Sequence, residues 1–233
     1  MGAADKVTPG VVVLLSGGLD STTLLHYATA VLARKPVRAL TYDYGQRHVR
    51  ELACARWQAA AAGALEHRVI DLGFLADLLK GGSTLIAGGA PVPDLDAIAE
   101  QERSQPPTYV PHRNMMLLSM AAAYAEAHGI CDVYYGAQAQ DEYGYWDCTT
   151  AFLERLNATL ALNHAKPVTV HAPFVTWKKA DVLRAGLDLG IDYAHTWTCY
   201  RGGEKACGAC PSCVERLNAF RVLGRQDPLC YEG

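Results

Sequence analysis

The chain has 233 residues, half of them apolar, with eight cysteines and a formal net charge of -3. That length supports one substantial core with at most a small appendage. The slightly acidic balance excludes an overall positive field that would recruit nucleic acid, so a small-molecule substrate is expected.

The opening residues MGAADKVTPG carry neither a basic nor an apolar leader pattern, and no apolar run approaches a membrane span. A cytoplasmic protein without a membrane partner is expected. Val11 to Leu15 is a β-branched run with no polar alternation, which predicts a strand buried on both faces of a parallel sheet. Residue patterning then predicts a helix over 21–34, a strand over Val37–Tyr42, an alanine-rich helix over 47–62 and a strand over His67–Leu72. Further on it predicts a helix over 113–128, a strand over Val133–Tyr135, a helix over 150–163, a strand over Val168–His171 and a helix over 178–189.

This alternation implies an α/β fold built on a doubly wound, five-stranded parallel sheet with right-handed crossovers. Residues 1–190 are assigned to the α/β body and 191–233 to a small C-terminal zinc-binding region packed on it. Residues 81–111, rich in Gly and Pro with weak helical patterning near Leu95–Arg103, are expected to be a lid, a substrate loop or a mobile segment.

The first strand runs into Ser16-Gly17-Gly18-Leu19-Asp20-Ser21 and then a helix. Strand, glycine turn and helix N-terminus form an anion site, because glycines let backbone N–H groups approach a ligand and the helix end adds partial positive charge. Asp20 can cap the helix or hold Mg2+. A tight turn capped by Asp20 or Ser21 is the bland alternative. Neither a Walker A loop nor a dinucleotide fingerprint is present.

Cys199, Cys207, Cys210 and Cys213 crowd into fifteen residues, with Gly202, Gly203, Gly208 and Pro211 bending the chain between them. Four thiolates at such spacings make a closed tetrahedral zinc site with no open position, hence a structural one. Free thiols, or one redox Cys-x2-Cys pair, are the alternatives. Cys54, Cys131, Cys148 and Cys230 read as buried or incidental.

Residues at strand ends supply further candidates, since open α/β sheets bind ligands outside their carboxyl ends. Tyr44 and Gln46 suit a substrate or adenine; Arg47 and His48 follow them, with His48 equally readable as a helix-start or core histidine. Arg113, at a proline-marked helix start, can reach phosphate or carboxylate in bidentate fashion. Asp141 or Asp147, after the fourth strand, can accept two N–H bonds from a bound ligand, while Tyr145 or Trp146 can cover a ring face, with core packing the alternative for the aromatics.

The SGGLDS loop resembles that of the N-type ATP pyrophosphatases, the adenine nucleotide alpha hydrolase-like superfamily that cleaves ATP to AMP and pyrophosphate. Together with YDYGQRH at 42–48, YVPHRN at 109–114, GYWDC at 144–148 and TWTCYRGGEKACGACPSCVER at 196–216, it resembles the 7-cyano-7-deazaguanine synthase family over nearly the full length. The resemblance implies conversion of 7-carboxy-7-deazaguanine, ammonia and two ATP to a nitrile through an acyl adenylate and an amide, on the route to queuosine. It also implies Mg2+ on the phosphates, a structural Zn2+ and a homodimer. Ser16, Gly17, Gly18, Leu19, Asp20 and Ser21 would hold pyrophosphate with Lys179, for which Lys178 is the neighbouring alternative; Asp20, Arg113 and Lys179 form the implied catalytic set.

Two departures bear on the endpoint. The family pattern more often reads Ser-Gly-Tyr-Pro-Asp-Cys where this chain has Tyr143-Gly144-Tyr145-Trp146-Asp147-Cys148, and His112 stands where a small residue is common. An enzyme that stops at the amide, or passes the acyl adenylate to another amine, stays open. A tRNA-thiolating relative would need a catalytic cysteine pair, which Cys54, Cys131 and Cys148 do not obviously form. A non-catalytic zinc-stabilised nucleotide-binding or nucleic-acid-binding module is the reading from another class.

Overall fold

The structure is a computed structural model that describes residues 10–102, 105–138 and 145–232. In chain order its elements are β1 (Val11–Leu14), α1 (Leu19–Ala30), β2 (Val37–Asp43), α2 (Arg50–Ala61), β3 (Glu66–Asp71) and α3 (Phe74–Leu78). They continue with α4 (Arg113–Ala127), β4 (Asp132–Tyr134), α5 (Thr150–Leu160), β5 (Thr169–His171), α6 (Lys179–Asp188) and α7 (Pro211–Val222). The five strands form one parallel sheet in the order β3-β2-β1-β4-β5, with Val11 opposite Val37 on one side and Asp132 on the other.

Strand alternation divides the core into two layers. Val12, Leu40, Val133 and Val170 face α4 and α5, where Leu118, Ala121 and Phe152 meet them. Val11, Val13 and Ala39 face α1, α2, α6 and α7, against Leu24, Leu25, Ala55, Val182 and Phe220. Val12 and Val13 are fully enclosed, as a central parallel strand covered on both faces requires. Strand order reverses between β1 and β4, so the crevice outside their carboxyl ends is the topological switch point. No helix among the described residues is long and apolar enough to cross a membrane.

Some boundaries differ from the sequence expectation. The second helix begins at Arg50 rather than 47, because Gln46 and Arg47 bridge to the segment near Ile86. The first helix ends at Ala30, three residues before Ala33 takes a left-handed φ of 50°. Helix α7 went unseen in the sequence, where cysteine spacing masks periodicity; Pro211 starts it, a position where proline's missing N–H costs nothing.

The described parts of the 81–111 segment, residues 81–102 and 105–111, form a strap pinned to the body. Leu85, Ile86, Val92 and Ile98 are buried, Thr84 N–H bonds to Pro107 O at 2.9 Å, and Leu95 N–H bonds to Ala209 O at 3.0 Å. Short 3-10 turns at Leu95–Ala97 and Glu100–Glu102 account for the weak helical patterning.

The C-terminal segment is held by Arg216, a fully buried cation. Its Nε and Nη2 donate to Asp227 at 2.7 and 2.9 Å, and Nη1 donates to Thr196 Oγ1 at 2.7 Å. Nη2 also reaches Tyr193 O at 3.1 Å, while Tyr231 O–H donates to Asp227 at 2.6 Å. A buried charge persists only when paired and hydrogen-bonded in this way.

Candidate active site

A cleft of about 260 Å3 opens at the switch point, lined by the β1–α1 loop, the start of α4, residues 135–138 and the 145–148 turn. The loop owes its shape to Gly17, whose φ is +85° and whose added Cβ would lie 2.2 Å from Glu51 O, so no other residue fits. Ser16 N–H donates to Ser21 Oγ at 3.1 Å, the two serine hydroxyls are 2.9 Å apart, and Gly18 N–H donates to Ser16 Oγ at 3.2 Å. Gly18 is the N-cap of α1 and brings no side-chain cap, so the helix's leading N–H groups remain available to an anion. Asp20 therefore does not cap the helix. Ser16, Gly18, Leu19, Asp20 and Ser21 all line the cleft, while Gly17 makes the turn behind it.

Asp20 instead pairs with Lys179, whose Nζ is 2.6 Å from Asp20 Oδ2 and 3.9 Å from Glu215 Oε2 on α7. Burial lowers the Lys179 pKa, but Asp20 and Glu215 more than offset it, and the group stays charged. Of the two lysines, Lys179 lines the cleft and Lys178 is exposed. Asp20 Oδ1 is buried without a hydrogen-bond partner among the described residues.

Across the cleft Arg113 opens α4, following His112 in the left-handed region at φ 53°. Its Nη1 donates to Tyr44 O–H at 3.3 Å. Tyr44 and Arg113 both line the cleft, as do Tyr145, Asp147 and Asn114. Tyr145 O–H lies 2.9 Å from Thr108 Oγ1, and burial raises the pKa of Asp147. Of the two aromatics considered for the stacking face, Tyr145 faces the cleft; Trp146 is 38% exposed, and its Nε1 donates to Tyr109 O–H at 2.9 Å.

Two expected substrate contacts are placed elsewhere. Arg47 turns away to hold the strap, with Nε donating to Thr84 O at 2.9 Å and Nη2 to Gly89 O and Ala90 O. Gln46 is a strut at the end of β2: its Oε1 accepts from Tyr44 N–H at 2.8 Å and its Nε2 donates to Glu51 Oε1 at 3.0 Å. Neither reaches the cleft wall. Asp141 lies outside the described residues.

The structure also brings in residues the sequence did not single out. Glu51 lines the cleft, its carboxyl pKa pushed up to about 8 by burial. His48, 3.4 Å from it, is pushed down to about 3 chiefly by burial, so at neutral pH both are uncharged. Thr108, Tyr135, Thr198, Tyr200 and Ser212 also line the wall. A helix-period Glu three residues after His48 is ordinary in sequence, and nothing local marks it.

Behind the loop, the sulfurs of Cys199, Cys207, Cys210 and Cys213 all lie within 4.8 Å of one another. Zn–S bonds of about 2.3 Å in a tetrahedron would set sulfurs roughly 3.8 Å apart, so this cluster is close to a ligand shell. Backbone N–H groups of Cys207 and Cys210 point at the Cys199 and Cys207 sulfurs, at 3.4 and 3.3 Å, which favours thiolates.

Residues 10–224 match the family described as queuosine biosynthesis protein QueC. The chain is 45% identical over 226 residues to 7-cyano-7-deazaguanine synthase of Marinobacter nauticus, covering 97% of this chain and 99% of that one. It is 42% identical over 228 residues to the enzyme of the same name from Clostridium kluyveri, covering 95% and 97%. Among solved structures, NMN synthetase from Francisella tularensis superposes with a TM-score of 0.53 over 94% of this chain and 79% of that chain. At 15% identity that likeness concerns the fold alone.

Proposed function

The chain belongs to the family of queuosine biosynthesis protein QueC, and on that premise we propose that it is a 7-cyano-7-deazaguanine synthase, an ATP-dependent ligase. One observation carries the residue assignments: a single cleft joins a phosphate end, at Ser16–Ser21 and Lys179, to an aromatic and acidic end at Tyr145 and Asp147.

A carboxylate is a poor electrophile, so 7-carboxy-7-deazaguanine must first be activated. Its oxygen attacks the α-phosphorus of ATP and pyrophosphate leaves; ammonia then displaces AMP to give the amide. The amide oxygen takes a second adenylyl group, and loss of AMP with the remaining N–H proton forms the nitrile. Both carboxylate oxygens depart on AMP.

The protein's part is positioning and charge neutralisation. The uncapped N–H groups of α1 and the Ser16 and Ser21 hydroxyls receive the pyrophosphate, with Lys179 held on it by Asp20. Arg113 faces them from α4 and offsets charge on the α-phosphate or the carboxylate. Asp147 accepts N–H bonds from the heterocycle and Tyr145 covers its face. Asp20 Oδ1, buried and unpartnered, fits a hard cation; Mg2+ there would neutralise phosphate charge. The four cysteines fit Zn2+ as a closed structural site that leaves no position for chemistry. In this reading the protein works as a cytoplasmic homodimer using free ammonia, with no nucleic-acid partner.

The test incubates purified protein with 7-carboxy-7-deazaguanine, ATP, Mg2+ and ammonium and counts AMP per product by mass spectrometry. Nitrile with two AMP is the expected result. Amide with one AMP would assign the altered YGYWDC region to a truncated reaction, and no AMP would sink the substrate assignment.

A further inference from the structure

Tyr135 follows β4 at its carboxyl end, and alternation turns it away from the phosphate loop. Tyr134 joins the core layer of α1 and α6, whereas Tyr135 joins the layer of α4 and α5. Gly136 in turn backs onto the start of α1, where an added Cβ would lie 3.1 Å from Ser21 N. The Tyr135 ring is thus on the α4–α5 side of the cleft, the side that carries Asn114, Asp147 and Cys148.

The residue is only 5% exposed, yet its hydroxyl has no hydrogen-bond partner among the described residues. Other tyrosines around it are satisfied: Tyr42 O–H donates to Leu117 O at 3.1 Å, Tyr44 accepts from Arg113, and Tyr145 meets Thr108. A buried hydroxyl left unpaired destabilises the protein that carries it, whereas phenylalanine would fill the same space without that cost. Burial pushes the phenol pKa up, with Cys148 and Asp147 adding to it, so the oxygen keeps its proton.

We propose that Tyr135 is a specificity-determining residue whose hydroxyl donates a hydrogen bond to an acceptor atom of the heteroaromatic carboxylic acid. The assignment rests on the function proposed above and separates that acid from ATP, whose phosphates belong to the opposite side of the cleft. An acceptor lost from the ligand, or a donor lost from the protein, leaves the other partner unpaired in a desolvated site.

Tyr135→Phe tests this with readouts that move in opposite directions. Steady-state kinetics should show KM for 7-carboxy-7-deazaguanine rising about 3- to 10-fold, the range of one neutral hydrogen bond, with KM for ATP within twofold of wild type. The ligand-free variant should melt about 2–4 °C higher, its orphaned hydroxyl gone, while the stabilisation conferred by saturating acid shrinks. An unchanged KM for the acid, a rise in KM for ATP instead, or a lower melting temperature with unchanged acid stabilisation would each overturn the proposal. Wild-type protein that releases no AMP with this acid would remove the function reading and this inference with it; wild-type turnover beside an indifferent variant removes the inference alone.

Discussion

Trp197 donates its backbone N–H to the carbonyl of Gly17 at 3.0 Å, tying the segment that carries Cys199 to the turn of the β1–α1 loop. The indole Nε1 reaches back to Cys199 O at 3.0 Å, and the Arg50 guanidinium lies 4.3 Å above the ring. What orders Cys199 therefore orders Gly17. If the cluster holds the proposed zinc, elemental analysis should find one zinc in wild type and none in Cys199→Ser, and the variant should raise the Kd for ATP about tenfold in titration calorimetry with a lowered melting temperature. Metal-free protein that binds ATP as wild type does would break the link between cluster and loop.

Lys179 is the cation held by Asp20 beside the β1–α1 loop. Lys179→Met should cut kcat/KM about 100-fold or more, the scale on which removing one charge-stabilising donor acts. Lys178→Met, on the exposed neighbour, should stay within twofold. Equal losses at both positions would point to bulk charge rather than to the Asp20 contact.

Glu51 gives the cleft a pH-dependent stability. Its pKa is raised by burial to about 8 from an ordinary 4.5, so between those values the folded protein holds a proton the unfolded chain has released. The contribution is full below about 4.5 and is lost as pH rises through about 8. Glu51→Gln keeps the shape and removes the titration. The melting temperature of the variant minus that of wild type should increase from pH 5 to pH 8 and then level off; a flat difference from pH 5 to pH 9 would mean that Glu51 is ionised throughout.

Arg216 and Asp227 are 0% and 2% exposed, so breaking the pair strands a buried carboxylate. Arg216→Met should cost about 3–5 kcal/mol, seen as a fall of at least about 6 °C in melting temperature for a chain of this size. Adding Asp227→Leu should recover part of that loss, since an apolar pair needs no partner. A double variant as unstable as the sum of the singles would show that Arg216 acts through Thr196 and Tyr193 instead.

The sequence by itself carried whatever is encoded locally. The unbroken Val11–Leu15 run and the alternation of apolar strands with helices specified a five-stranded parallel sheet, and the SGGLDS turn lies on the wall of its cleft. Cysteine spacing brought out a four-sulfur cluster. Local signals fail where a side chain's partner is distant in the chain. Arg47 and Gln46 stand beside residues that do reach the cleft, but their own partners include Ala90 and Glu51, and those bonds hold both away from it. The Lys179 pairing with Asp20, the meeting of Trp197 with Gly17 and the Tyr135 hydroxyl left without a partner among the described residues exist only once the fold brings distant segments together. Tertiary packing decided these, because a polar group's role depends on which partner folding leaves within about 3 Å of it.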